Sequence, residues 1–580
     1  MSEDKLHNIR HTLAHLLAMA AREFDPDVVM GIGPVTDDGF YYDFQFTKVP
    51  APDDLRGFEK SMRRLVNKKL SMEGREINKA EGERLFSAQP LKLELLNEYA
   101  NEGKTLTAYT VGNFTDLCKG GHVENTGDIP ADCFKLTRIA GAYWRGNEKN
   151  PMLTRIYGYA FSTGKELDKY MKMLEEAKKR DHKKLGKELD LFTFSDLVGA
   201  GLPLWTPKGT LLRDTLDNYV WELRRTHGYE KVEIPHITKK ELYMMSGHWD
   251  KFKDELFRIT TREGHEFAMK PMNCPHHTQI YARKAWSYRE LPQRYANSTA
   301  CYRDEQTGEL SGLSRVRAFT QDDAHVFCRM AQAKEEFLKI WDIVQEFYGT
   351  FGFKLRVRIS THDPKHPEKY LGDKEHWSLA ENMLTEIAKE KNADSFDGPG
   401  EAAFYGPKLD FMAKDAIGRE WQVATIQLDM NMPERFDLTC ANEKGEKERI
   451  VMIHAAIMGS IERFASILIE HTGGNFPLWL SPVQVAVLPI GEGHHAFAAK
   501  INEELLRADI RTEFSTESES LGKKIREVKL KKIPYTVVIG DAEVAAKEVT
   551  LESRDKGKLG QFSSEKLLGH LREEIDAKRS

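Results

Sequence analysis

The sequence has few cysteines, no long apolar run and almost no excess of charge of either sign. Its six cysteines are scattered over 580 residues, which excludes the disulfide framework of a small secreted protein. No apolar segment approaches the roughly 20 residues of a membrane-spanning helix, and the N-terminus lacks the apolar core of a secretory signal. We therefore expect a cytoplasmic protein that makes no membrane contact, with some thiols free to bind a metal.

The charge balance excludes little. The chain has 85 basic and 90 acidic residues and a net charge of −5. That total neither requires nor excludes a nucleic-acid partner, because local basic faces matter more than the sum. The length suggests roughly three to four domains.

Composition and periodicity divide the chain into four segments, which predict a multidomain α+β protein. Residues 1–164 mix short helices with strand-like runs such as GFYYDFQF. Residues 165–192 form a predicted linker helix, because charged positions surround one narrow apolar stripe. Residues 193–482 alternate strand-like runs with helices, which predicts a mostly antiparallel sheet flanked by helices. Residues 483–580 alternate strands and helices and predict a compact α/β domain.

The segment NIRHTLAHLL places His11 and His15 on one face of a helix, since residues four apart are neighbours there. Zinc peptidases need a glutamate beside the first histidine, and Thr12 stands there, so that class is excluded. A solvated or structurally satisfied histidine face is the simpler interpretation of the pair alone. The segment TVGNFTDLCKGGHV repeats the spacing with Cys118 and His122. Three histidines and a cysteine would also suit a metal.

The string CYRDEQTGELSGLSRVRAFTQDDAHVFC is the most specific in the chain. An arginine between a strand and a turn, such as Arg303, can bind a phosphate through two parallel hydrogen bonds and stays charged. Phe319 offers a flat face for a purine, and the segment GSIERF supplies Arg463. A surface ion pair explains any single arginine equally well, but the complete string favours a nucleotide site.

This string resembles motif 2 of the class II aminoacyl-tRNA synthetases, GSIERF resembles motif 3, and HGYEKVEIPHI with Pro235 resembles motif 1. With MKPMNCPHH, QDDAH and MIHAAIMGS, the sequence is most similar to the threonyl-tRNA synthetase family over nearly its whole length. The resemblance implies activation of L-threonine by ATP with Mg²⁺, transfer to tRNA(Thr), and a homodimer formed through motif 1. The chain starts directly at the segment resembling the family's editing domain, so we expect the form without the ubiquitin-like TGS domain.

The resemblance gives each matching residue of the nucleotide site a role. Arg303 would hold the ATP α-phosphate and the amino-acid carboxylate, and Arg463 would bind the γ-phosphate. Glu305 would accept a hydrogen bond from the adenine amino group, and Phe319 would stack on the ring. The remaining implied ATP-binding residues are Arg315 and Gln427.

The resemblance also assigns one Zn²⁺ to Cys274, His325 and His454, which no spacing rule would connect. Three protein ligands leave an open position, as in zinc sites that bind substrates. Threonine can fill it with its amino and hydroxyl groups. Valine has no hydroxyl, and a site built around a polar group rejects an analogue lacking it by a factor on the order of 10⁴. The remaining implied threonine contacts are Gln321, Asp323, Tyr405 and Lys408.

Serine keeps both polar groups and lacks only a methyl, which gives roughly 1–3 kcal/mol of discrimination. A second, hydrolytic site is therefore needed. HxxxH followed by CxxxH resembles the editing domain of threonyl-tRNA synthetases and of alanyl-tRNA editing proteins. These residues would surround the 3′ end of Ser-tRNA(Thr) and orient a water, and in the threonyl family this site works without metal. The implied editing residues are His11, His15, Lys92, Asp116, Cys118 and His122.

Residues 483–580 resemble the anticodon-binding domain of class IIa synthetases. LGKKIREVKLKK gathers six Lys or Arg residues against one Glu, which is a solvated face in most proteins and a phosphate contact in an RNA-binding enzyme. Arg554 matches an anticodon-reading arginine, and Glu552 stands where the family often has an earlier one.

Other functions fit the residues less well. A catalytically inactive, synthetase-like RNA-binding regulator should have lost Arg303, Arg463 or a zinc ligand, and all are present. A stand-alone deacylase would not need residues 193–482. A prolyl or seryl synthetase shares the ATP motifs but should lack the three zinc ligands. His276 and Ala455 depart from the residues common in the family, so the surroundings of the ligands are expected to differ in detail.

Overall fold

The computed structural model describes residues 3–517 and 519–578. It contains two compact units, Met1–Glu175 and Glu176–Ser580. The four-segment division is finer than this and stays a prediction. Among the helices of the described residues, none is both long and apolar enough to cross a membrane.

The first unit packs helices against an antiparallel sheet of strand order β1-β3-β8-β7, with β2 beside β3, and carries a smaller sheet β4-β5-β6. The helices are α1 (Glu3–Phe24), α2 (Leu55–Asn67), α3 (Lys79–Leu85) and α4 (Pro90–Asn101). The strands are β1 (Val29–Met30), β2 (Val35–Thr36), β3 (Gly39–Gln45), β4 (Met72–Glu76), β5 (Thr107–Val111), β6 (Phe114–Leu117), β7 (Phe134–Tyr143) and β8 (Met152–Ala160). The apolar face of α1 is fully buried at Leu13 and Leu17, which leaves the histidine face of the same helix for the site.

The predicted linker helix is two helices in the structure. Helix α5 (Gly164–Arg180) ends before Asp181, whose side chain accepts a hydrogen bond from the Lys183 backbone N–H and so begins α6 (His182–Glu188). A side chain that satisfies a free backbone N–H at a helix start favours a new helix over a continuous one.

The rest of the second unit, up to residue 482, is built on a large sheet. Its helices are α7 (Pro207–Thr226), α8 (Lys240–Ser246), α9 (His248–Lys251), α10 (Cys274–Tyr281), α11 (Met330–Thr350), α12 (Lys374–Glu390), α13 (Asn431–Arg435) and α14 (Ile461–Thr472). Its strands are β9 (Phe192–Thr193), β10 (Leu204–Trp205), β11 (Glu230–Lys231), β12 (Ile237–Lys239), β13 (Arg258–Thr260), β14 (Glu266–Met269), β15 (Trp286–Ser287), β16 (Gln293–Tyr302), β17 (Ala318–Cys328), β18 (Lys354–Thr361), β19 (Ser395–Pro399), β20 (Lys408–Lys414), β21 (Glu420–Asp429), β22 (Thr439–Ala441), β23 (Lys447–Arg449) and β24 (Val451–Ser460).

The eight-stranded sheet β11-β16-β17-β24-β21-β20-β18-β19 carries the site. Its strand pairs are antiparallel except the outermost pair at each end, which confirms the predicted class. Alternation along β17 sends Ala324 and Val326 into the main core. The intervening Asp323 and His325 therefore lie on the opposite face.

The C-terminal part forms a five-stranded sheet of order β26-β25-β27-β28-β29. The β26, β25 and β27 strands are parallel, and β28 and β29 are antiparallel. The strands are β25 (Val485–Pro489), β26 (Thr512–Phe514), β27 (Tyr535–Ile539), β28 (Val549–Ser553) and β29 (Gly557–Phe562). The helices are α15 (His495–Arg507), α16 (Leu521–Leu530), α17 (Asp541–Ala546) and α18 (Ser564–Asp576). The predicted α/β class of this part is confirmed.

Candidate active sites

A first cluster of metal-binding side chains lies where the central strands β17 and β24 pair. His325 and His454 are direct cross-strand partners, and Cys274 is the first residue of α10. The thiol and one nitrogen of each ring lie within 4.8 Å of one another, and all three residues are buried or nearly so. Three residues that are 51 and 129 positions apart therefore converge because the sheet register brings them together.

Each histidine of this cluster has a partner on its other nitrogen. Asp429 Oδ2 lies 3.0 Å from His454 Nε2, and His277 Nδ1 lies 2.7 Å from His325 Nδ1. The facing nitrogens, His454 Nδ1 and His325 Nε2, are 3.1 Å apart. Such outer partners fix the ring orientation and leave the inner nitrogen for a metal. Sequence reasoning missed Asp429 and His277, although His277 lies in the quoted segment NCPHH.

A small cavity of about 130 Å³ opens beside this cluster. Burial raises the pKa of its Asp323 to about 6, and Asn273 Nδ2 donates a hydrogen bond to the same carboxylate at 3.1 Å. The lining residues with polar side chains are Arg303, Gln321, Asp323, His325, Tyr405, Thr425, Gln427 and His454.

A second, larger cavity of about 590 Å³ adjoins the first, and Arg303 and Gln321 line both. The Arg303 guanidinium lies 5.3 Å from the Phe319 ring centre. Arg315 forms an ion pair with Glu305 at 2.7 Å, so a ligand of either side chain would replace this contact. The charged and aromatic residues that line this cavity are Arg303, Glu305, Arg315, Phe319 and Arg463.

Two cations of this cavity, Arg303 and Arg463, have no carboxylate within ion-pair distance among the residues that the structure describes. The Arg463 backbone N–H donates to the side chain of Ser460, the N-cap of α14. Burial lowers the pKa of Arg463, with no counter-charge to offset the effect. A half-buried cation without a counter-ion is unfavourable, so this position favours an anionic ligand.

Two implied contacts differ in position. Gln427 lines the smaller cavity and donates to the Gly406 carbonyl at 2.8 Å. The Lys408 ammonium pairs with the buried Asp410 carboxylate at 2.8 Å, and Lys408 is absent from the described lining of both cavities. The structure therefore places Gln427 at the smaller cavity and Lys408 outside the lining of both cavities.

A second cluster lies in the first unit. His11 and His15 share one face of α1, and Cys118 and His122 follow β6. Cys118 Sγ lies 3.3 Å from His11 Nε2 and 3.2 Å from His122 Nε2. One donor atom from each of the four side chains lies within 4.8 Å of the others, so both sequence pairs meet in one site.

The carboxylate beside this second cluster is already paired. Lys92 Nζ lies 2.5 Å from Asp116 Oδ1, and the Tyr42 hydroxyl donates to Oδ2 at 2.6 Å. His15 Nδ1 is 3.5 Å from Oδ2. Burial alone would raise the pKa of Asp116, but Lys92, His15 and Tyr42 outweigh it and the pKa falls. Tyr42 lies in the strand-like run GFYYDFQF, and nothing in that run pointed to this role.

Burial sets the protonation of the cluster itself. It lowers the pKa of His15 to about 4 and of His122 to about 2, and it lowers that of His11 as well. Burial also raises the pKa of the Cys118 thiol to about 11. At neutral pH the site therefore holds three uncharged imidazoles, which can accept a proton from a water, and a protonated thiol, which cannot.

A third group, Asp181, His182 and Glu470, has metal-ligand geometry but is fully used in the fold. His182 Nδ1 lies 2.6 Å from Glu470 Oε1, and its Nε2 accepts the Leu313 backbone N–H at 3.1 Å. Both ring nitrogens are thus engaged, so this group explains how α6 is fixed rather than where a ligand binds.

Two residues of the segments predicted to contact RNA already have partners within the protein. Arg554 follows β28, donates to the Lys532 carbonyl at 2.8 Å and pairs with Asp555. Lys524 in the basic helix α16 is buried and donates to the Pro489 carbonyl at 3.1 Å. At least one lysine of the basic run is therefore structural.

Three models of known protein families match segments of this chain. Residues 257–472 match the tRNA synthetase class II core domain (G, H, P, S and T), and residues 484–574 match an anticodon binding domain. Residues 106–157 match the threonyl and alanyl tRNA synthetase second additional domain. These matches confirm the multidomain fold inferred from the sequence.

Full-length relatives agree as well. The threonine–tRNA ligase of Porphyromonas gingivalis is 48% identical over 98% of this chain and 88% of its own. That of Deinococcus radiodurans is 48% identical over 94% of this chain and 85% of its own. The crystal structure of the RNA binding domain of threonyl-tRNA synthetase from Cryptosporidium parvum has a TM-score of 0.65 at 37% identity, covering 68% of this chain and 98% of that one. The chain belongs to the threonine–tRNA ligase family.

Proposed function

We propose that the chain carries out the two reactions of its family, threonine ligation to tRNA with ATP and editing, at the two cysteine–histidine clusters. Ligation takes place in the paired cavities beside β17 and β24, and editing takes place in the first unit. The observation that carries this proposal is the wall of Arg303 and Gln321 shared by the two cavities, because an amino acid in the smaller cavity would then lie beside a nucleotide in the larger one.

In the larger cavity, Arg303 binds the ATP α-phosphate and the threonine carboxylate together, and Arg463 binds the γ-phosphate. Phe319 stacks on adenine, Glu305 accepts from its amino group, and Arg315 leaves Glu305 to bind phosphate. The threonine carboxylate attacks the α-phosphorus and pyrophosphate leaves, with Mg²⁺ accompanying ATP as in the family. Positioning and charge stabilisation account for most of such chemistry.

In the smaller cavity, Cys274, His325 and His454 would hold one Zn²⁺. Their donor types and the engaged outer nitrogens fit this ion. When bound, zinc supplies an open coordination position for the amino and hydroxyl groups of threonine. Asp323 accepts the hydrogen bond of the hydroxyl, and Gln321, Tyr405 and Gln427 complete the pocket. Lys408, which pairs with Asp410, would support the pocket from outside its lining.

In the first unit, His11, His15, Cys118 and His122 surround the ester of Ser-tRNA(Thr) and orient a water that cleaves it. The uncharged imidazoles accept the proton of that water. Lys92 and Tyr42 hold Asp116, which faces His15. We propose that this site works without a metal, as the resemblance to the editing domain of the threonyl family implies.

The remaining proposals concern partners and organisation. We propose the segments 1–164, 165–192, 193–482 and 483–580 as editing domain, linker, catalytic domain and anticodon-binding domain, with Arg554 reading the anticodon. A homodimer would form through the motif 1 segment, which exposes Ile237. A reducing cytoplasm suits two clusters that each depend on an unoxidised thiol.

ATP–pyrophosphate exchange with threonine, serine and valine tests the ligation proposal. We expect exchange with threonine, weaker exchange with serine, and almost none with valine. Removal of zinc with a chelator should abolish exchange with threonine. Threonine-dependent exchange that survives complete zinc removal would refute the zinc site, and absence of exchange in the zinc-loaded protein would favour the RNA-binding regulator instead.

A further inference from the structure

The two strands that carry the amino-acid pocket do not pair continuously. Asp322 on β17 pairs with Gly459 on β24, but two residues later Ala324 pairs with Ala455. Between these two pairs, strand β24 advances by four residues while β17 advances by two. Strand β24 therefore contains a bulge. Bulges occur next to active sites, where they redirect side chains. Here the bulge lies between the pocket residues Asp323 and His454.

A bulge removes backbone groups from the ladder, and one carboxylate replaces the lost partners. Asp322 Oδ2 accepts the backbone N–H groups of Ile457 and Met458, each at 2.9 Å. Buried N–H groups without partners are costly. Gly459 at the edge of the bulge has φ = +68°, a conformation that favours glycine. Asp322 is completely buried, so its charge in turn needs a partner.

That partner is Arg224 in the last turn of α7. Its Nη1 lies 2.7 Å from Asp322 Oδ1, with both side chains at most 3% exposed. The same guanidinium donates to the carbonyl of Asp323 and to that of Ala455, each at 3.1 Å. It therefore binds both strands at the point where their own hydrogen bonds are interrupted.

We propose that the Arg224–Asp322 ion pair is a positioning element for amino-acid selection, which fixes the bulge and so sets Asp323 against His454. The inference rests on the proposed function. Neither residue lines the cavity, so neither is catalytic. Discrimination between threonine and valine depends on the hydroxyl meeting both Asp323 and the metal site. A displacement of Asp323 should therefore weaken the binding of threonine more than the binding of ATP.

Arg224→Lys tests this positioning role. Lysine keeps the charge opposite Asp322 but cannot reach both carbonyls, because it lacks the planar fork of arginine. We expect the KM for threonine to rise about ten-fold and the threonine-to-valine ratio of kcat/KM to fall about ten-fold. The KM for ATP should change less than that for threonine, because the phosphate-binding Arg303 and Arg463 lie outside the bulge, although Met458 and Gly459 of the bulge line the larger cavity.

Arg294→Lys is the matched control. Arg294 on β16 forms a comparable ion pair with Glu336 of α11, at 2.6 and 2.7 Å, and touches neither Asp323 nor Ala455. We expect all three kinetic values to stay near those of the unmodified chain. Equal effects of Arg224→Lys and Arg294→Lys, or a fall in kcat alone for Arg224→Lys, would overturn the proposal.

If Arg224→Lys does not fold, the double variant Arg224→Met/Asp322→Asn replaces the test, because it leaves no unpaired buried charge. Asparagine can still accept a backbone N–H. The same shift in threonine KM and valine discrimination is expected. Kinetics equal to the unmodified chain would overturn the proposal. Failure of the proposed function is distinguishable, since the unmodified chain would then show no threonine-dependent exchange.

Discussion

The two cysteine–histidine clusters use the same donor types and differ in how a carboxylate meets them. Beside β24, Asp429 contacts the outer nitrogen of His454 directly. In the first unit, Asp116 contacts Lys92 and Tyr42 and lies farther from His15. A carboxylate that accepts a hydrogen bond from the outer nitrogen of a histidine makes that histidine a stronger metal ligand. In the first unit burial leaves the histidines uncharged, and Lys92 neutralises the nearby carboxylate. This difference supports our proposal of metal binding at one cluster and water activation at the other.

Removal of the Cys274 thiol, a proposed zinc ligand, should have the largest effect. Cys274→Ala is expected to lower threonine-dependent exchange by at least about 10³-fold, since the polar groups of threonine lose their anchor. Hydrolysis of Ser-tRNA(Thr) should not change. Cys328→Ala is the matched control, because Cys328 is buried on the same strand as His325 and outside the cluster. Exchange at the normal rate in Cys274→Ala would remove the distinction between the clusters.

Removal of a histidine of the proposed editing site should impair hydrolysis and leave exchange unchanged. His11→Ala is expected to slow hydrolysis of Ser-tRNA(Thr) by about 10²–10⁴-fold, the usual contribution of a positioned proton acceptor. ATP–pyrophosphate exchange with threonine serves as the internal control and should be unaffected. Deacylation at an unchanged rate would reject the editing site.

The pairing of Asp116 can be tested by stability. Lys92→Met should destabilise the first unit by about 3–5 kcal/mol, because it leaves a buried carboxylate unpaired. Lys79→Met is the control, since the Lys79–Glu83 pair is exposed at 4.0 Å and should contribute less than about 1 kcal/mol. Hydrogen exchange of peptides from α1 measures both. Equal protection in the two variants would mean that Lys92 does not neutralise Asp116.

Protonation of His15 should give the smallest effect. Its pKa is about 4 in the folded chain against 6.5 in the unfolded one, so between these values only the unfolded state binds the proton. Stability is therefore complete above pH 6.5 and falls as the pH drops towards 4, by about 3 kcal/mol at most. Hydrogen exchange of α1 peptides at pH 7.5 and 5, corrected for intrinsic rates, should show this loss. This loss of protection should be smaller in His15→Asn. An equal loss in His15→Asn would mean that another group causes it.

The sequence spacing points to the cluster of the first unit but not to the cluster beside β24. The four-residue spacing of His11 with His15 predicts neighbours on one helix turn, and both lie on α1. Cys118 and His122 have the same spacing but lie in the loop after β6, and the structure unites the two pairs. The catalytic ligands have no such spacing, so only resemblance found them.

The supporting residues Asp429, Tyr42 and Arg224 were missed, because their roles depend on strand register and on a bulge that no local pattern shows. The division of the linker into two helices could have been predicted from the sequence, since Asp181 is a residue type that favours the N-cap position it occupies at the start of α6. The long charged stripe on both sides of it favoured a continuous helix instead.

X-ray absorption at the zinc edge tests the central claim most directly. We expect one zinc per chain with one sulfur ligand at about 2.3 Å and two nitrogen ligands at about 2.0 Å. Saturating threonine should add two light-atom ligands to this shell, and valine should not add the second. A shell with more than one cysteine, a shell that threonine leaves unchanged, or zinc bound by the chain only through the editing histidines would contradict the account.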